Sequence, residues 1–167
     1  MDGITLETER LIIRTLVIGD AKPLFSYRSL PEVSRFQTFK PQDVDDVVDF
    51  IRSLATEPDI PDSWYPLALI LRNSQEHIGD IGIHFLAKPD EVELGCTITP
   101  RLWGKGYAAE SLMAVLDFVF NKLKKNRAVV DINPENTRSR LLFERLGFQM
   151  VSQNADEVIY QLLNPAA

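Results

Sequence analysis

The chain of 167 residues is 45% hydrophobic and 25% charged, ordinary values for a globular protein long enough to bury one substantial core. A net charge of −6 argues against general nucleic-acid affinity, which needs a basic surface, and the single cysteine, Cys96, excludes an internal disulfide. No apolar run reaches transmembrane length, and the opening residues are charged from Asp2 with no signal-peptide core, which points to the cytoplasm.

Thr5 to Leu16 reads as a strand, with aliphatic residues clustered at Leu11 to Ile13. Asp20 then offers an N-cap for a short helix through Leu24, Phe25 and Tyr27. From Asp43, the spacing of Val44, Val47, Val48, Ile51 and Leu54 predicts a helix with Asp45, Asp46 and Asp49 on its other faces. Three strands follow, Trp64 to Leu71, His77 to Phe85 and Glu91 to Thr99, separated by turn sequences and so read as an antiparallel meander. Ala108, Leu112, Val115, Leu116, Val119 and Leu123 mark an amphipathic helix. "RAVVDI" is a short buried-type strand, Asn136 to Leu146 a helix closed by Gly147, and Phe148 to Leu163 a hairpin. No repeat or linker divides the chain, so residues 1–167 are expected to form one domain. The order predicts an α+β fold: a mixed, mostly antiparallel sheet of about seven strands flanked by about four helices.

Charge is unevenly spread. Arg101 to Arg145 holds nine of the 18 basic residues and five of the 24 acidic ones, a local +4 in a chain that is otherwise −10. This suggests an anionic ligand, although Lys122, Lys124 and Lys125 also suit a helix carboxyl end. At the head of that segment stands "PRLWGKGYAAESL", a strand exit followed by two glycines and a helix. Unpaired N–H groups of a first helical turn, the helix dipole and the missing side chains at Gly104 and Gly106 make a phosphate cradle, with Arg101 and Lys105 at its rim. A left-handed turn alone would also select glycine. A Rossmann site would need three spaced glycines after a first strand, and a P-loop needs G-K-[ST]; neither is present.

These residues carry a resemblance. "RLWGKGYAAE" resembles the Arg/Gln-x-x-Gly-x-Gly/Ala signature of the GCN5-related N-acetyltransferases (GNAT). "ETERLIIRTL", "IGDIGIHF", "ELGCTITPRLWGKGYAAESL" and "NPENTRSRLLFERLGF" are similar, in order, to its RimJ/RimL-type branch. The resemblance implies the acyl-CoA N-acyltransferase fold and an acetyl group moved directly from acetyl-CoA to a primary amine, either a protein N-terminus or a small molecule. It implies that backbone N–H groups at Trp103, Gly104, Lys105, Gly106, Tyr107 and Ala108 hold the pyrophosphate. It also implies that the strands Glu91–Thr99 and Ala128–Ile132 splay, so that pantetheine pairs near Thr97, Ile98 and Thr99. A homodimer is the family-level expectation, and no metal or membrane is involved.

An amine with a pKa near ~10.4 must lose a proton before it attacks a thioester. Strand alternation places Glu91, Glu93 and Gly95 on one face, and by resemblance Glu93 is the candidate base. Asn136 is a natural N-cap and shares a face with Ser139. By resemblance Asn136 reaches pantetheine or water, and Ser139 lies by the sulfur. Relatives often carry a tyrosine acid where this chain has Phe143, so Ser139 or water is the expected proton donor. Cys96 and Thr97 also depart from the usual aromatic pair. These departures keep open an alternative, a non-catalytic acyl-CoA-binding or sensor domain. Arg138 and Arg140 are expected to reach CoA phosphates or to face solvent, His77 and His84 to be structural or exposed, and Trp64 and Trp103 to pack. Seven acids between Lys40 and Asp62 suggest steering of a cationic amine, through Glu57, Asp59 and Asp62 in particular.

Overall fold

A computed structural model describes residues 3–167; Asp2, whose charge counted against a leader segment, lies outside the described residues. Eight strands form one sheet in the order β1-β2-β3-β4-β5-β6-β8-β7. They are β1 (Thr5–Glu7), β2 (Leu11–Thr15), β3 (Ser63–Leu71), β4 (His77–Phe85), β5 (Glu91–Ile98), β6 (Arg127–Ile132), β7 (Gln149–Gln153) and β8 (Val158–Leu163). The helices are α1 (Ala21–Arg28), α2 (Pro31–Ser34), α3 (Val44–Ser53), α4 (Tyr107–Asp117) and α5 (Thr137–Arg145). The α+β class and the β3–β4–β5 meander stand as expected. Among the described residues, no helix is long and apolar enough to cross a membrane.

The extra strand comes from Thr5–Leu16, which is a hairpin, β1 against β2, rather than one strand. Its turn is fixed from a distance: Glu110 on α4 accepts from Thr8 Oγ1 at 2.6 Å, from Arg10 N at 2.8 Å and from Arg10 Nε at 2.6 Å. Asp20 precedes α1 but makes no cap bond. Its carboxylate accepts instead from Val17 N–H and from both terminal nitrogens of Arg14. Asp43 does cap α3, accepting Asp46 N–H at 2.8 Å.

The sheet has an apolar layer on each face. Leu112, Val115, Leu116 and Val119 of the α4 region pack on one face, with Phe143 of α5 in the same cluster. Leu24 and Tyr27 of α1 and Val47 and Ile51 of α3 cover Ala68 and Ile70 on the other. After Asp117 the helix widens into a π-turn over Phe118–Lys122, where Leu123 N–H reaches Phe118 O at 3.0 Å. That turn sends Lys125 inward rather than to the helix end. Its buried ammonium donates to Asp59 at 2.5 Å and to Pro89 O at 2.6 Å.

A second buried ion pair ties α1 to the sheet. Arg28 donates to Asp80 through Nη2 at 2.5 Å and Nε at 3.2 Å, and Tyr27 OH adds a 2.6 Å bond. Removing one partner leaves the other charge desolvated, so Asp80→Ala is expected to cost about 3–5 kcal/mol. Denaturant titration checks this. An Arg28→Met/Asp80→Leu double variant should recover much of the loss, and a single variant within about 1 kcal/mol of wild type would contradict it.

Candidate active site

The sheet opens between β5 and β6. Parallel pairing is confined to Glu91↔Arg127, Val92↔Ala128 and Glu93↔Val129. Beyond Glu93 the strands diverge, because β6 follows β8 along its whole length, from Arg127↔Leu163 to Ile132↔Val158. The divergence leaves a cavity of about 380 Å³ walled by Leu94–Thr97 of β5, Val130–Ile132 of β6 and Asn136, Ser139 and Phe143. Arg28, Asp80, the 36–39 segment and Trp64 close its other side. A smaller cavity of about 60 Å³ shares Cys96, Thr97, Asn136 and Ser139 with it and reaches Trp103 and Arg138. The two form a cleft running toward the N-terminus of α4.

At that N-terminus Gly104 and Gly106 have φ of 76° and 84°, left-handed values that only glycine adopts freely. Conformation alone therefore accounts for glycine here. The turn does not require what lies above Gly104: a Cβ placed there meets nothing within 4 Å. Glu110 N–H to Gly106 O, at 3.0 Å, is the first bond of α4, so the N–H groups of its opening turn point out of the helix. Arg10 holds the loop from behind, donating to Lys105 O at 3.0 Å with its guanidinium 4.1 Å from the centre of the Tyr107 ring.

Some of the expected cradle is otherwise engaged. Trp103 N–H donates to Pro100 O, and Arg101 is paired with Glu76. Lys105 is exposed. Of the expected pantetheine edge, Thr99 N–H donates to Ile78 O, Ile98 O accepts the Trp103 indole at 2.8 Å, and Thr97 Oγ1 accepts from Gln37 at 3.3 Å. The stretch of β5 without a strand neighbour on the β6 side therefore starts just past Glu93. Trp103 is more than packing, since the Arg138 guanidinium lies 3.2 Å over its ring.

Asn136 caps α5, accepting Ser139 N–H at 3.3 Å, and both residues line both cavities. Phe143 is buried in the cavity wall and offers no proton. It meets Phe148 edge-on at 5.1 Å, while Phe148 N–H donates to Phe143 O and Gly147 N–H to Glu144 O, the closing motif expected at Gly147. Arg140 is engaged within the protein, donating to Tyr160 OH and Pro134 O. Burial, with Asp80 nearby, pushes the Cys96 thiol up to about 12, an inert nucleophile.

Glu93 is the last residue of β5 paired to β6, at the apex where the strands part, and its side chain is not among those that wall either cavity. Its Oε2 lies 3.1 Å from His84 Nδ1, and His84 Nε2 lies 3.2 Å from Asp62. His84 is therefore a partner of the candidate base, which single-sequence reasoning did not see; the signal was the hairpin register across "AKPDE" that sets His84 opposite Glu93. The His77 side chain is buried, its Nε2 3.3 Å from Tyr27 OH and its Nδ1 3.5 Å from an Asp20 oxygen without a hydrogen bond. Of the expected steering acids, Asp59 is paired to Lys125, whereas Asp62 is exposed and reaches only the His84 imidazole, and Glu57 is exposed.

Asp131 was also missed, though a lone carboxylate inside "RAVVDI" marks it. It lines the cavity, and its pKa rises from 3.8 to about 6 through desolvation and the neighbouring carboxylates of Glu157 and Glu93. The folded protein thus holds this proton more tightly than the unfolded chain, so stability is lost as pH rises from about 4 to about 6. Asp131→Asn is expected to recover about 1 kcal/mol near pH 7.5 after discounting for solvent screening, a rise of about 2–4 °C in Tm. Thermal melts at pH 4 should show no such gain. Among the described residues, no group of three or more His, Cys, Asp or Glu is arranged to hold a metal ion.

Comparison with known proteins agrees with this geometry. A family model for the acetyltransferase (GNAT) domain matches residues 10–149. The uncharacterized N-acetyltransferase p20 of Bacillus licheniformis is 32% identical over 147 residues, 87% of this chain and 82% of its own. YoaA of Bacillus subtilis, also named an uncharacterized N-acetyltransferase, is 30% identical over 148 residues, 86% of this chain and 82% of its own. In fold, a GNAT-family acetyltransferase from Bacillus anthracis superimposes with a TM-score of 0.84 at 23% identity, covering 96% of this chain and 99% of that one. The chain belongs to the GNAT family and is an N-acetyltransferase.

Proposed function

We propose that the cleft moves an acetyl group from acetyl-CoA to a primary amine, with Glu93 as the base. The observation that carries this is the parting of β5 and β6 just past Glu93 into a cleft that Asn136 and Ser139 wall and that reaches Trp103, next to the turn that opens α4. The N–H groups from Gly104 to Ala108 suit a pyrophosphate, and the unpartnered edge of β5 beyond Glu93 suits pantetheine amides. Acetyl-CoA, when bound, supplies the acetyl group as a thioester. Glu93 Oε1 takes the proton that an arriving ammonium must shed. Ser139, lining both cavities beside Cys96 and Thr97, or a water beside it, returns a proton at the sulfur end, the role Phe143 is unable to fill. Glu93, Asp131 and Glu157 make the apex negative, which favours a cationic acceptor.

A protein N-terminal α-amine is the acceptor favoured by the RimJ/RimL likeness. A candidate ribosomal-protein-serine acetyltransferase from Vibrio cholerae has the same fold, with a TM-score of 0.77 at 22% identity, covering 96% of this chain and 97% of that one. Calorimetry with acetyl-CoA, followed by thiol release over a panel of N-terminal peptides, polyamines, aminoglycosides and amino acids, tests the proposal. Release with one amine class supports it. Binding without release from any amine would support an acyl-CoA sensor instead.

A further inference from the structure

Strand register brings Trp64, His84 and Glu93 into one row across β3, β4 and β5. The Trp64 ring, which lines the cavity, stacks on His84 with centroids 4.6 Å apart and planes 16° from parallel. Each ring nitrogen faces a carboxylate, Nδ1 that of Glu93 and Nε2 that of Asp62, and the two bonds form together only when the ring carries both protons. Asp62 sits at a φ of 54°, a left-handed conformation that Asp tolerates better than most residues. The imidazole is fixed at both ends and on one face. Glu93, by contrast, has three side-chain torsions and would spread over several rotamers without a partner. Its Oε2 is held by His84, and its Oε1 has no hydrogen-bond partner among the described residues.

We propose that His84 is a positioning residue for Glu93: clamped by Asp62 and braced by Trp64, it holds the carboxylate in one orientation, with Oε1 unpartnered beside the point where β5 and β6 part. This rests on the transferase reading above. It exchanges the roles of a catalytic triad, where a carboxylate orients an imidazole; here an imidazole orients a carboxylate. The clamp keeps the proton-accepting oxygen in place between turnovers, without itself touching the acceptor.

The test uses the full chain, acetyl-CoA and the best amine of the panel. His84→Ala should lower kcat ~10-fold, part of the roughly 10²–10⁴ that a general base supplies, with KM for acetyl-CoA unchanged. Added imidazole should restore part of the loss, and His84→Gln, which keeps a donor, should fall between Ala and wild type. In the free protein, the His84 Nδ1 resonance should move in Glu93→Gln, with no substrate present. An unchanged kcat in His84→Ala overturns the inference. So does a fall in kcat that parallels a lower Tm without imidazole rescue, or an Nδ1 resonance that ignores Glu93→Gln. If wild type transfers acetyl to no amine, the transferase reading fails, and the resonance still decides whether the clamp exists.

Discussion

Gly104→Glu is expected to weaken acetyl-CoA binding at least ~100-fold, about 2.7 kcal/mol, with the fold retained. Two effects combine. The backbone sits at a φ of 76°, where any Cβ costs about 1–2 kcal/mol, and the side chain enters the open space above the turn. A carboxylate there would also repel a phosphate at the positive end of α4. Gly104→Ala separates these contributions: it carries the strain but little bulk and no charge, so its affinity should stay within about ten-fold of wild type. Calorimetry on the three proteins decides, with melting curves as the control for folding. If the glutamate variant binds acetyl-CoA as wild type does, the turn is not a phosphate cradle, and its glycines serve backbone geometry alone.

Glu93→Gln should reduce kcat by roughly 10²–10³-fold and leave the Kd for acetyl-CoA unchanged. The amide keeps the shape of the side chain and an oxygen for His84, so the variant removes the basic group and little else. Asp131 is the competing carboxylate. It lines the cavity, and its pKa of about 6 suits a base working near neutrality. The pair of variants separates the two: a large loss in Glu93→Gln with a modest one in Asp131→Asn assigns the proton to Glu93. The reverse order would move the base to β6 and leave Glu93 as part of the negative field.

What was legible in the sequence depended on how far apart the interacting residues lie. The cap at Asn136, the closing turn at Gly147 and the meander are written in local patterns, because their partners lie within a few positions or one hairpin. The break in Thr5–Leu16 was not legible. Thr8 closes the turn locally with Leu11, but its hydroxyl and Arg10 are held by Glu110, about a hundred residues away, and no glycine, proline or asparagine between Glu7 and Arg10 announces a turn. Lys125 misled for a related reason: a π-turn, rather than a regular helix end, aims it at Asp59, and an α-helical pattern carries no sign of that extra residue. At the site, the glycines and the strand exit were visible as motifs. The His84 clamp and the Asp131 cluster arise only from strand register and from the gap between β5 and β6.

The strand β8 sets the width of the cleft. β6 has three pairs with β5 but six with β8, so its backbone is committed to β8 over its whole length and its far end is not available to close the gap. The opening is therefore held from the side away from the phosphate turn, by the β7–β8 hairpin. Val158 and Tyr160, paired with Ile132 and Val130, act on the shape of the cleft through the backbone of β6.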